Sequence, residues 1–167
     1  MSLFLPLSFE EGKADMELKE RISDDLKAAM KSGDKIRLET IRSLRAALLE
    51  KDIERRGSGQ PMSHEDEIGV LMTSAKKRRE SIEQFQMGGR LDLVEQEGKE
   101  LAIIQEYLPK QLSEEEVQKV IEEIVAQTGA SGPGDFGKVM PAAMKQLKGK
   151  MDGKVVQELV KKRLGSA

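Results

Sequence analysis

The residues of this chain best suited to meet a ligand are the lysines of its last thirty positions. Residues 138–167 carry eight Lys and Arg against two Asp and Glu, residues 109–137 two against six, and residues 1–108 eighteen against twenty-two. The whole chain is close to neutral at −2, so this local excess of +6 marks where a polyanion would bind. Lys138 and Lys145 stand seven apart, as do Lys154 and Lys161, with Lys148, Gly149 and Lys150 between the two pairs. Seven residues make two helical turns, so each pair shares one helix face. Val139, Met140, Ala143, Met144 and Leu147 take the opposite face of one helix, and Val155, Val156, Leu159 and Val160 that of the next. Two lysine rows around a basic turn can contact several phosphates. Aromatic residues are only 3 % of the chain, which favours reading shape and backbone over stacking on single-stranded bases.

Other chemistry finds few residues to carry it. Cysteine is absent, which excludes disulfides, thiolate catalysis and cysteine-ligated metals. His64 is the single histidine and falls in the first turn of a helix, where a solvated side chain is the simplest reading. Gly129–Gly134 holds three glycines but follows a helix rather than a strand, so it reads as a connector and not a phosphate loop. Glu114, Glu115 and Glu116 open a helix, where acids are favoured by the helix dipole. Lys76, Lys77, Arg78 and Arg79 are consecutive, and at about 100° per residue they spread around a helix instead of forming one patch. Arg78 and Arg79 flank the apolar stripe of Ile68, Leu71, Ala75 and Ile82, and should lay their stems along it with their heads in water. No catalytic residue, cofactor or metal is therefore expected.

The elements that must position these side chains are all helices. Leu, Lys, Glu, Met and Ala lose little rotamer freedom in helices, whereas strands favour aromatic and β-branched residues. The fold class expected is all-α: an N-terminal four-helix domain with a long helical hairpin, followed by a small three-helix tail domain. The first helix spans 16–32, capped by Asp15 and ended by Gly33; Asp34 caps the second, which buries Leu38, Ile41, Leu44 and Leu48. Ser63 opens the third, which stops at Gly88-Gly89, and a fourth covers about 91–107. The second and third are long enough to project as a hairpin. Pro109 breaks the pattern, and Ser113 with Glu116 forms a capping box for the fifth. Asp135 and Asp152 cap the sixth and seventh, with Gly149 between them. This divides the chain into a poorly ordered extension at 1–15, a helical domain at 16–108, a linker at 109–112 and a three-helix domain at 113–167. The apolar start, Met1 to Phe9, lacks the basic residues of a signal peptide or presequence, and no apolar run reaches the roughly 18 residues of a membrane span. A cytoplasmic setting follows as the default.

Several segments resemble the YqeY-like proteins. They are Arg79-Glu-Ser-Ile-Glu-Gln-Phe85, Gly89-Arg-Leu-Asp-Leu93, Gln105-Glu-Tyr-Leu-Pro-Lys-Gln-Leu-Ser-Glu-Glu-Glu-Val117, Gly137-Lys-Val-Met140, Lys148-Gly-Lys-Met-Asp-Gly-Lys154 and Val155-Val-Gln-Glu-Leu159. With the Arg55-Arg56-Gly57 turn, the resemblance covers residues 16–164. The last segments are also similar to the tail of the GatB subunit of glutamine-dependent aspartyl/glutamyl-tRNA amidotransferases, a helical appendage that contacts tRNA. The resemblance implies a tRNA-binding module tied to glutamine-dependent tRNA amidation. Two alternatives are an adaptor docking on a tRNA-handling enzyme and a carbon–nitrogen ligase with glutamine as amido-N-donor. Parts that would handle ATP or an aminoacyl ester have no counterpart here, so catalysis by this chain alone is not expected. Pro141 departs from the family pattern, where a small residue is usual, and should bend or delay the sixth helix.

Overall fold

A computed structural model describes residues 17–165; the expected extension at 1–15 and the Asp15 cap lie outside them. Seven α-helices follow one another: α1 Leu18–Ser32, α2 Lys35–Gly57, α3 His64–Met87, α4 Leu91–Gln105, α5 Glu114–Thr128, α6 Phe136–Leu147 and α7 Gly153–Leu164. A single 3₁₀ turn, Pro133–Asp135, leads into α6, and no strand occurs among the described residues. The helix starts follow the local chemistry. Asp34 accepts a hydrogen bond from the Arg37 backbone N–H at 3.0 Å, and Asp152 accepts one from the Lys154 N–H at 2.8 Å. Ser63 with Asp66, and Ser113 with Glu116, close reciprocal capping boxes. The accepted bonds also hold the Asp66 and Glu116 carboxyls below their usual range, because backbone N–H groups favour the charged form.

Two starts differ from expectation. The first helix begins behind Glu17, which makes no side-chain cap. Asp135 precedes α6, yet its carboxylate reaches back to the Ser131 N–H at 2.9 Å and sideways to Lys138 at 3.1 Å. The preceding 3₁₀ turn places the carboxylate over its own loop. Pro141 lies inside α6 without ending it. Val139, Ala143 and Leu147 form one buried stripe across the proline, so the helix keeps its facing while Pro141 itself is exposed.

The buried side chains form two clusters. One gathers Ile22, Ile41, Leu44, Leu71 and Ile104 with their neighbours from α1–α4; the other gathers Val117, Ile121, Ile124, Val139 and Val160 from α5–α7. A long hairpin is present, but its partners are α3 and α4 rather than α2 and α3, for α3 packs along α4 far more extensively than along α2. Between Ala75 and Ile103 no residue is fully buried, so the two helices run past the first core as an arm. Ion pairs from Arg78 to Glu97 at 3.4 Å and Glu100 at 2.8 Å tie the arm together. Arg78 thus engages two acids instead of only wetting its head at an apolar edge. The arm ends in Met87 and Leu91, exposed at 83 % and 72 %.

A polar network closes the base of the first core. The Tyr107 hydroxyl donates to Asp25 at 2.6 Å, Arg37 clamps Glu106 at 2.7 and 3.1 Å, and Arg21 lies 5.4 Å over the Tyr107 ring. Burial, and then the Asp25 hydrogen bond, push the phenol well above its ordinary value of 10.0. The folded protein therefore holds this proton to higher pH than the unfolded chain does. Its stabilising contribution is complete below pH ~10 and is lost as pH rises beyond it. Tyr107 is the single tyrosine, so the phenolate absorbance band reports on it alone. That band should rise only with unfolding, and Tyr107→Phe should flatten the alkaline decline in stability. Phenolate appearing near pH 10 in a folded protein would contradict this account.

Candidate nucleic-acid interface

The lysine rows are built by helix periodicity against the second core. Val139, Ala143 and Leu147 turn α6 inward, which leaves Lys138 and Lys145 exposed on its outer side. Val156, Leu159, Val160 and Leu164 do the same in α7, leaving Lys154 and Lys161 exposed. Between the helices the chain turns through Lys148, Gly149 and Lys150, with the Lys150 N–H donating to the Leu147 carbonyl at 2.9 Å. Both flanking lysines are exposed.

Their electrostatic states differ. Lys138 is paired with Asp135 at 3.1 Å, Lys148 approaches Glu65 at 3.9 Å, and the Lys161 ammonium sits 5.9 Å over the Phe136 ring. Lys145, Lys150 and Lys154 form no ion pair with any described residue, so their charges face solvent uncompensated by contact. Glu158, four residues after Lys154, shares the outer face of α7 and moderates its potential.

Gly149 stands apart from the lysines around it, because it is buried. Its φ of +79° is left-handed, and a Cβ built there would lie 2.9 Å from Ile68 Cγ2 and 3.3 Å from Pro109 Cδ. The position is a joint at which the α6–α7 turn presses on α3 and on the segment before α5. Gln111 fastens it, donating from its amide nitrogen to the Pro109 carbonyl at 2.9 Å and the Gly149 carbonyl at 2.6 Å. The Leu112 N–H adds a bond to the Lys150 carbonyl at 2.9 Å.

Arg79 crosses the same joint to pair with Asp152 at 3.3 Å. Its neighbour Lys76 is exposed and lines a cleft of about 260 Å³ together with Arg79, Gln111, Asp152 and Lys154. The spread of Lys76 to Arg79 around one helix argues against a patch there, and helix periodicity carries no trace of a partner 73 residues away. Leu108 from the first core and Met151 from the second complete the apolar side of the cleft. His64 is exposed at the start of α3, 3.5 Å from Glu67. Among the described residues no group of His, Asp or Glu is placed to hold a metal ion, and no helix is long and apolar enough to cross a membrane.

A family model described as Yqey-like protein matches residues 19–164. The "Altered inheritance of mitochondria protein 41, mitochondrial" of Lachancea thermotolerans is 30 % identical over 128 residues, covering 75 % of this chain and 67 % of that protein. Its namesake in Eremothecium gossypii is 38 % identical over 87 residues, 52 % of this chain and 46 % of the relative, so that match spans about half of the relative's length. A shorter likeness links the chain to a glutamyl-tRNA(Gln) amidotransferase subunit of Thermococcus sibiricus, 47 % identical over 57 residues, 32 % of this chain and 9 % of that one. The cytoplasmic setting expected from the leader is overturned by the names of four relatives, all mitochondrial. That expectation tested residues 1–9 for two kinds of targeting signal, and the lack of basic residues there does not fix a compartment.

Proposed function

This chain belongs to the YqeY-like protein family, whose model covers residues 19–164, and from that premise we propose that it is a tRNA-associated module. It binds tRNA by shape and phosphate contacts through α6, α7 and the turn between them. The observation that carries this reading is the outward placement of Lys145, Lys150 and Lys154, without ion-pair partners among the described residues, on helices whose other faces close a core. Unpaired ammonium groups on a rigid support exchange bound counterions for phosphates and need not break protein contacts first. The likeness to a segment of a protein named for glutamyl-tRNA(Gln) amidation supports the choice of tRNA among polyanions. On this reading any carbon–nitrogen ligase activity with glutamine as donor belongs to a larger assembly, to which this chain supplies the RNA contact.

The test is tRNA affinity measured across salt. With about four phosphates neutralised, affinity should fall roughly a hundredfold between ~50 and ~200 mM salt. A flat salt profile would remove the lysine rows from the case. The second reading, an adaptor for a tRNA-handling enzyme, is favoured by the exposed Met87 and Leu91 at the end of the α3–α4 arm. It predicts co-purification of one defined protein that survives nuclease treatment and is lost with Met87→Glu.

A further inference from the structure

The cleft between α3 and the α6–α7 turn adjoins the outward lysine rows at Lys154 and has the lining of a small ligand site. Its volume of about 260 Å³ lies just below the ~300–1,000 Å³ of pockets for drug-sized molecules, which suits one flat heterocyclic base. Met72, Ala75, Leu108 and Met151 supply its apolar surface. Two of these are methionines, whose polarisable thioethers adapt to a flat π-system without any aromatic partner.

The polar lining selects further. Gln111 donates both amide hydrogens to carbonyls, those of Pro109 and Gly149, so its side chain retains only an acceptor oxygen for a ligand. An exocyclic amino group would satisfy that oxygen, and a ring carbonyl would not. Asp152 is already engaged, by the Lys154 N–H at 2.8 Å and by Arg79 at 3.3 Å. The cations of the cleft therefore outnumber its one carboxylate. Lys76 holds Glu80 only at 3.9 Å in an exposed pair, an interaction of little strength that a phosphate can replace. Lys154 belongs both to this cleft and to the outer row of α7, so a strand following the row reaches the opening directly.

We propose that the cleft takes the unpaired terminal nucleotide of a bound tRNA, with an amino-bearing base (adenine, cytosine or guanine, but not uracil) against Met72 and Met151 and its phosphate on Lys76 and Lys154. The inference rests on the tRNA reading above and assigns it a second, base-contacting site. It is tested by comparing intact tRNA with the same tRNA trimmed of its unpaired 3′ nucleotides. Trimming should weaken binding about tenfold, or ~1.4 kcal/mol. Lys76→Glu and, at the cleft wall, Thr73→Trp should each reproduce most of that loss on intact tRNA and add little on the trimmed form, as coupled changes do. Circular dichroism establishes that both variants remain helical.

Equal affinity for the two RNAs, with salt-dependent binding retained, overturns the cleft assignment and leaves the parent reading standing. Failure to bind any tRNA at low salt overturns both. Free cytidine or adenosine monophosphate displacing intact tRNA at micromolar concentration would make this a mononucleotide site and overturn the assignment to an RNA end.

Discussion

Gly149→Ala is expected to destabilise the protein by roughly 2–4 kcal/mol, the sum of left-handed strain and a steric clash. The strain arises because φ is +79° there, a region that costs an L-residue about 1–2 kcal/mol. The clash arises because the new Cβ would stand 2.9 Å from Ile68 Cγ2, with Pro109 Cδ and Cγ at 3.3 and 3.4 Å. Ile68 is itself only 7 % exposed, so it cannot swing into solvent, and relief must come from moving the turn off α3. Gly129→Ala supplies the control. Gly129 is also left-handed, at φ +67°, but nothing lies within 4 Å of its added Cβ. It should suffer the strain alone, about 1 kcal/mol. Urea melts of the two variants separate these contributions, and equal losses would show that the joint is looser than its contacts imply.

The joint also marks the boundary between what the residues announce and what they do not. Ser63, Ser113, Asp34 and Asp152 declare helix starts locally, because a cap and its backbone donor lie within three residues of each other. The outward facing of Lys138, Lys145, Lys154 and Lys161 is legible for the same reason: it needs only the 3.6-residue period and the apolar stripe. Pro141 does not disturb that facing, since the buried stripe of Val139, Ala143 and Leu147 continues on both sides of it. The burial of Gly149, by contrast, depends on Ile68, and the partner of Arg79 is Asp152. Neither contact leaves a periodic trace, because each is set by how two cores meet. The choice of α4 over α2 as the partner of the α3 arm is of this kind too. Helix length points to the second and third helices as the hairpin, but length alone does not select which neighbour pairs. The ion pairs of Arg78 with Glu97 and Glu100 record that choice, but they join different helices and become visible only once α4 is known to run antiparallel.

Reversing three lysines together, Lys148→Glu, Lys150→Glu and Lys154→Glu, should reduce tRNA affinity by at least roughly a hundredfold at ~100 mM salt, since each loses one phosphate contact and adds a repulsion. All three are exposed, so the fold has little reason to respond. Lys148 gives up a 3.9 Å approach to Glu65, whose side chain is itself 84 % exposed, a pairing of small worth. Lys154 lies in the first turn of α7, where an acid is favoured by the helix dipole. A loss of binding with an unchanged melting temperature therefore reports on the surface. Net charge alone must still be separated from place. Lys27, Lys31 and Lys35, exposed on and beside α1, offer the same change of charge on helices that pack in the other core. Their reversal should weaken binding by no more than a few-fold, because exposed charges beyond a Debye length of about 8–10 Å are largely screened. If both triple variants lose affinity equally, the interaction is a response to overall charge and the lysine rows are not a site. If only the α6–α7 variant does, the affinity is local. The slope of log affinity against log salt should then fall by about three in that variant, one for each phosphate no longer neutralised.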